Sequence, residues 1–325
     1  MHYCVSTEMI DLHNQAPNRN QRECKFYWDE AYTLICGAGF TDMEIPYEPK
    51  WDFGGRSGIP RTLRSINIKF QSVENYMKVL KEAGINGISS VHLDPSMFCS
   101  GVMEMYFGAM EHFASEAIDF CAQAGSKVFC LTVTPPQATV KALYQGDDMD
   151  SFIAAFLEKN GEVIARLAKK AADSNIKLCL KNEFWSLLRG SAIADYVKSL
   201  KSEAPVYIDV DTANLQIAGV NPAQFIKDNA SLIGAVHFSD TAFVDDGDIY
   251  ATPSPEFPLN KATQIFKDLG QGDVDFPEIY KALQACGYDG VVVINAKQTR
   301  DFSRGLLRAG YYMKHCLGIS MSDAQ

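Results

Sequence analysis

The sequence predicts an α/β chain of the closed (β/α)8 TIM-barrel class, a single domain over residues 1–325 with extended βα loops. Three observations carry this. Eight short apolar runs are each followed by a helical pattern or helical segment, and eight such units close a barrel. Between Ile176 and Asp240 the alternation of strand, helix, strand, helix, strand is unbroken, the mark of a parallel sheet. The alternative, an open doubly wound sheet, calls for a Gly-rich phosphate turn after the first strand. Here Ser6-Thr-Glu-Met follows instead.

The elements follow in order. Tyr3 to Glu8 reads as the first strand, and Arg22 to Gly37 as a helix stopped by Gly37 and Gly39. Asp42-Met-Glu-Ile-Pro46 is a second strand, and residues 47–68 read as one long loop. Ser72 to Ala83 is helical, Ile85 to Leu93 a third strand, and Val102 to Ala124 a long helix with Gly125 behind it. Lys127 to Thr134 is a fourth strand ended by Pro135-Pro136. Asp150 to Ser174 then carries apolar residues at helical spacing. Ile176–Glu183, Val206–Asn214 and Leu232–Asp240 are the fifth to seventh strands, separated by helices at Ser191–Glu203 and Pro222–Ala230. Residues 241–275 read as irregular, Phe276–Cys286 as helix, Gly290–Lys297 as the eighth strand and Asp301–Cys316 as the last helix.

Composition sets limits. The chain is 47% hydrophobic and 22% charged, with a net charge of −10. It has no Lys/Arg-rich run, which argues against an extended nucleic-acid footprint. The nine scattered cysteines include no CxxC and read as free thiols in a reducing compartment. No basic-then-apolar leader and no apolar run of about 20 residues is seen. The expectation is a cytoplasmic chain with no membrane partner.

Chemistry in parallel barrels collects at the carboxyl ends of the strands. Lys181, Glu183, Asp209, Asp211, Asn214, His237 and Asp240 fall there. An Asp on one strand and a His on the next can share a metal ion. Lys181 admits three roles: an ion pair with Asp209 or Asp211, proton transfer if burial lowers its pKa, or a Schiff base. His92 closes the third strand as a loop cap or a general base. Glu8 and Glu44 sit at other strand ends, where polar groups line such pockets, and Glu44 is the better candidate for binding a substrate. Trp51, Phe53 and Trp185 either stack on a substrate ring or pack their own loops. Asp245-Asp-Gly-Asp248 reads as a solvated acidic turn, since the rest of a calcium loop is lacking.

The eight-unit pattern, Asp211-Thr-Ala-Asn-Leu-Gln-Ile-Ala-Gly219, Val236-His-Phe-Ser-Asp240, and Leu269-Gly-Gln-Gly-Asp-Val-Asp-Phe276 followed by Gly287-Tyr-Asp-Gly290 together resemble the xylose-isomerase-like barrel superfamily. It includes sugar isomerases, ketose epimerases, inosose dehydratases and endonuclease IV. The resemblance implies a divalent metal held by Glu, Asp, His and Glu from strands five to eight. Asp211 and His237 match the Asp and His positions. Lys181 and Asn295 stand where the two Glu are usual. Glu183, on the same face as Lys181 and one step further out, is the substitute ligand. The metal set is therefore Glu183, Asp211 and His237, with Mn²⁺ or Mg²⁺ suited to its oxygens.

Ser6-Thr-Glu8 and Trp51-Asp-Phe-Gly-Gly-Arg56 have a looser likeness to the alpha subunits of bacterial C-glycoside deglycosidases. That likeness implies cleavage of a sugar–aromatic carbon–carbon bond in a 3-oxo-C-glycoside, with a small beta subunit as partner. The expectation is thus a metal-assisted enzyme that abstracts a proton next to the carbonyl of a sugar derivative. His92, Lys181 and Lys297 are the catalytic candidates, and Glu183 joins His92 and Lys297 as a candidate base. Glu44, Trp51, Asn214 and Asn295 are the substrate-binding ones. The alternatives are a sugar isomerase or ketose epimerase, and a non-catalytic barrel that binds a sugar or a partner. Endonuclease-like phosphodiester cleavage is disfavoured by the net charge.

Overall fold

The computed structural model describes residues 1–10, 24–52, 58–247 and 264–319. Eight parallel strands close a barrel: β1 His2–Ser6, β2 Asp42–Pro46, β3 Gly87–Leu93, β4 Val128–Thr132, β5 Lys177–Lys181, β6 Val206–Asp211, β7 Ile233–Phe238 and β10 Val291–Ile294. β10 closes the ring between β7 and β1. A two-stranded antiparallel pair, β8 Asp240–Thr241 and β9 Phe266–Lys267, lies in the segment read from sequence as irregular.

The helices are α1 Lys25–Gly37, α2 Leu63–Phe70, α3 Val73–Glu82, α4 Met103–Ala124, α5 Gln137–Ala142, α6 Met149–Asp173, α7 Ala192–Ser199, α8 Thr212–Ile217, α9 Pro222–Asp228, α10 Phe276–Ala285 and α11 Phe302–His315. Many start on a side-chain cap that satisfies an orphan backbone N–H: Ser72 for α3, Asn221 for α9, Asp275 for α10 and Asp301 for α11. α2 corrects the single long loop expected over 47–68. Its signal is Thr62, which accepts from the backbone N–H of Ser65 while Ser65 returns the bond to Thr62, a capping box.

Alternation along the strands sorts the side chains. Phe129, Leu131, Leu178, Leu180, Ile208, Val210, Val236, Phe238, Val292 and Ile294 face outward into the main core, where the helices cover them. Inside, the amino half of the barrel holds the small cluster Val128, Cys130, Cys179 and Ala235. The carboxyl half is polar. The described cysteines are all free, and among the described residues no helix is long and apolar enough to cross a membrane.

Asp240 anchors the segment after β7. One carboxylate oxygen accepts from the N–H groups of Gly270 and Gly272, and the other from Thr241 and Val274. A side chain on Gly272 would run into Asp240 and the Thr241 backbone. Asp240→Ala leaves these donors without their acceptor, so a loss of about 2 kcal/mol or more is expected, read as a lowered urea midpoint.

Candidate active site

Register brings the polar side chains of the carboxyl half together. Lys181 is level with Thr132 on one side and Asp209 on the other, Asp211 with His237, and Glu44 with Ser90. The result is a chain of alternating charge across the barrel. Glu44 Oε1 lies 3.0 Å from His237 Nε2, and His237 Nδ1 lies 2.8 Å from Asp209 Oδ1. Asp209 Oδ2 is 3.7 Å from Lys181 Nζ, which donates to Asp211 Oδ2 at 2.8 Å. Lys297 Nζ is 3.7 Å from that same Asp211 oxygen and donates to Glu183 Oε1 at 2.9 Å. Ser90 and Ser239 donate to Glu44 and Asp211.

Burial alone would raise the Glu44 and Asp211 carboxyls. The His237 imidazolium overrides it at Glu44 and the Lys181 ammonium at Asp211, and both are held at about 2. Burial would likewise strip the proton from His237, but Asp209 and Glu44 push its pKa up to about 10. Lys181 and Lys297 are also raised, since their carboxylates outweigh burial. Glu183 behaves differently. Burial prevails over Lys297 and lifts it to about 7. Four carboxylates against three cations leave the chain one negative charge when Glu183 is ionised and none when it is protonated.

Several sequence expectations change here. Among the described residues no group of three or more His, Cys, Asp or Glu side chains is gathered to hold a metal. Glu183, Asp211 and His237 are not assembled as a ligand set: cations sit on both carboxylates, and both ring nitrogens of His237 face carboxylates. Of the three roles read for Lys181, the ion pair with Asp211 and Asp209 is the one the structure shows, and the fully buried, doubly paired ammonium is not a base or a Schiff-base amine. Lys297 is likewise held protonated. Glu44 is sealed inside and spends its oxygens on His237 and Ser90, so it offers none to a sugar.

Trp51 is buried, and its indole N–H donates to Glu48. Asn214 is buried in α8, where its amide oxygen accepts from the Phe184 N–H. Asn295 donates to Glu8 at 2.6 Å. His92 does reach the mouth. Its Nε2 is 3.0 Å from Thr132 Oγ1, and burial, with Lys181 adding to it, lowers its pKa and keeps it neutral. Phe53, Arg56 and Asp248 lie outside the described residues.

Sequence reasoning missed Ser90, Thr132 and the role of Asp209. Ser90 is two residues before His92, and Asp209 two before Asp211. The period of two was the available signal.

A cavity of about 170 Å³ opens beside this cluster, with Glu8, Tyr47, Lys50, His92 and Asp94 in its wall. Roughly 300–1,000 Å³ is usual for ligand pockets, so this one admits a small polar molecule. A larger cavity, about 540 Å³, lies at the amino ends of the strands, lined by His2, Lys127, Lys177 and Asp289 among others. Barrel chemistry is built at the opposite end.

Stability should follow the pH profile of these groups. Glu44 and Asp211 are depressed, so their contribution is complete above their ordinary values of 4.5 and 3.8 and is lost as pH falls toward 2. His237 is raised, so its contribution is complete below 6.5 and is lost as pH rises through about 10. Glu183 has the opposite sign to the other carboxylates, and its ionisation costs stability between 4.5 and about 7. The urea midpoint is expected to peak in mildly acidic buffer, with His237→Gln flattening the alkaline limb.

Comparison with known proteins agrees with this architecture. The chain is 23% identical over 310 residues to an inosose dehydratase of Clostridium botulinum (strain Alaska E43 / Type E3), covering 90% of this chain and 100% of that one. A D-psicose 3-epimerase from Clostridium cellulolyticum H10, solved with D-tagatose, superposes with a TM-score of 0.66 at 16% identity, over 98% of this chain and 99% of that one. A barrel protein from Mycobacterium smegmatis in complex with magnesium gives 0.65 at 15% identity, over 99% and 97%. The family described as xylose isomerase-like TIM barrel matches residues 36–310. By that match and by its closed eight-stranded ring, this chain belongs to the xylose isomerase-like TIM barrel family.

Proposed function

We propose that the chain is a lyase that removes water from a small polyhydroxy ketone, of which an inosose is the type. The observation that carries this reading is the Glu183–Lys297 pair. One Glu183 oxygen is held by the Lys297 ammonium at 2.9 Å, and the other has no partner among the described residues. A carboxyl poised at about 7 suits proton transfer at neutral pH. Lys297 is the more exposed member of the pair, at 12% against 3%. Its fixed charge favours an oxyanion formed beside it.

The Glu183 carboxylate takes the proton from the carbon next to the ketone. The C–H electron pair becomes a carbon–carbon double bond, and the carbonyl oxygen takes up negative charge against Lys297. As the carbonyl re-forms, the hydroxyl on the next carbon leaves with its bonding pair. Glu183 returns the proton to it, and water departs. The similarity to inosose dehydratase over 90% of the chain supports this choice of leaving group.

Epimerisation begins with the same abstraction but needs a proton donor on the opposite face. His92, in the cavity wall, is the group that favours this second reading. Cleavage of a 3-oxo-C-glycoside would be the same elimination with an aromatic carbon leaving. A small partner subunit belongs to that reading, but Trp51, one of the rings that could have stacked on a substrate, is buried in its own loop.

The test is incubation of the chain with an inosose in deuterated water. The lyase gives a product lighter by one water, with absorbance of a conjugated ketone. An epimerase gives deuterium at the α-carbon with no loss of mass. Neither change, for an inosose or any ketose tried, would overturn the enzymatic reading and leave a binding barrel.

A further inference from the structure

We propose that the Lys181 ammonium fills the place a divalent cation would need, so that this barrel mouth works on fixed lysine charge and binds no divalent ion. The inference does not depend on which reaction the site performs. Lys181 Nζ lies between two carboxylates of one strand, 2.8 Å from Asp211 and 3.7 Å from Asp209, and is fully buried. Lys297 brings a second ammonium to 3.7 Å from the same Asp211 oxygen.

The remaining donors are committed. Asp211 Oδ1 accepts the Asn214 N–H that starts α8, and Oδ2 also accepts from Ser239. An imidazole binds a metal through the lone pair of one nitrogen. Both nitrogens of His237 are instead aimed at carboxylates, at 2.8 and 3.0 Å. The cluster's carboxylate oxygens without a hydrogen-bond partner among the described residues are Asp209 Oδ2 and Glu183 Oε2. Mg²⁺ asks for octahedral coordination and structural Zn²⁺ for about four ligands.

Charge argues the same way. With Glu183 ionised the cluster carries one net negative charge. A divalent ion placed there would sit against two ammonium groups, Lys181 and Lys297, already gathered on one Asp211 oxygen, and repulsion between buried like charges is expensive. Removing Lys181 should reverse this, because it takes away the ammonium that lies between Asp209 Oδ2 and Asp211 Oδ2.

The test uses metal binding and thermal stability, without a substrate. Chelator-treated wild-type protein is dialysed against Mn²⁺ or Mg²⁺, then analysed for bound metal and for its melting midpoint. No stoichiometric ion and a midpoint shift under ~1 °C are expected, since a ligand that binds the native state must raise it. One ion per chain, lost in Asp211→Asn, would overturn the proposal. Lys181→Met is the second arm. It is expected to melt lower, and millimolar Mn²⁺ or Mg²⁺ is expected to recover several degrees. A folded Lys181→Met that gains nothing from either ion would show that the lysine holds no cation's place. Should that variant not fold, the wild-type measurement still decides.

Discussion

Glu183→Gln is expected to lower kcat by roughly 10²–10⁴-fold, the usual worth of a positioned acid–base group. The amide keeps the shape of the side chain and can still accept from Lys297 through its oxygen, so substrate binding should change less than turnover. Stability should hold or rise slightly, because the native state pays for a buried carboxyl raised to about 7. The wild-type pH–rate profile should climb as Glu183 ionises, and that limb should vanish in the variant. Lys297→Met is expected to lose a comparable factor through the unsupported oxyanion, while its Glu183 loses its cation and titrates higher still. Full activity in Glu183→Gln would transfer the base role to His92, whose neutral imidazole lines the cavity at the mouth with Glu8 and Asp94.

His237→Ala is expected to be the most destabilising change at the site, by about 3–5 kcal/mol, the cost of breaking a buried ion pair from one side. The ring is fully buried and is the hydrogen-bonded counter-ion shared by Glu44 and Asp209. Without it, two sealed carboxylates face a cavity, with only the more distant Lys181 near Asp209. Adding Glu44→Gln to His237→Ala removes one of the stranded charges. The double variant should therefore lie above the sum of the single losses. Urea denaturation of the four proteins measures this. Strict additivity would mean that Glu44 and His237 are not coupled.

Strand order, the helix spacing and the polar carboxyl ends were legible because each rests on short-range rules. A period of two puts Asp209 with Asp211 and Ser90 with His92, and apolar runs bounded by Gly and Pro mark the strands. The set of residues at the mouth was readable for the same reason. Apart from the Lys181 ion pair, their roles were not. α2 was missed inside a segment whose Pro, Gly and Trp read as loop, although Thr62 and Ser65 held the capping signal.

Residue types and spacing along a strand do not say which side chain on the next strand a group will meet. Closure of the ring brings Glu44 of β2 to His237 of β7, 193 residues later, and Lys297 to Glu183. That meeting turned the expected metal set of Glu183, Asp211 and His237 into an alternating chain of ion pairs, and an expected sugar ligand at Glu44 into a structural counter-ion. The sequence by itself determined the barrel and the membership of its polar end, because local periodicity sets both. The tertiary structure alone decided which charges neutralise one another. Pairing energy depends on distances of a few ångströms across the barrel and on the exclusion of water, and neither is written into any single strand.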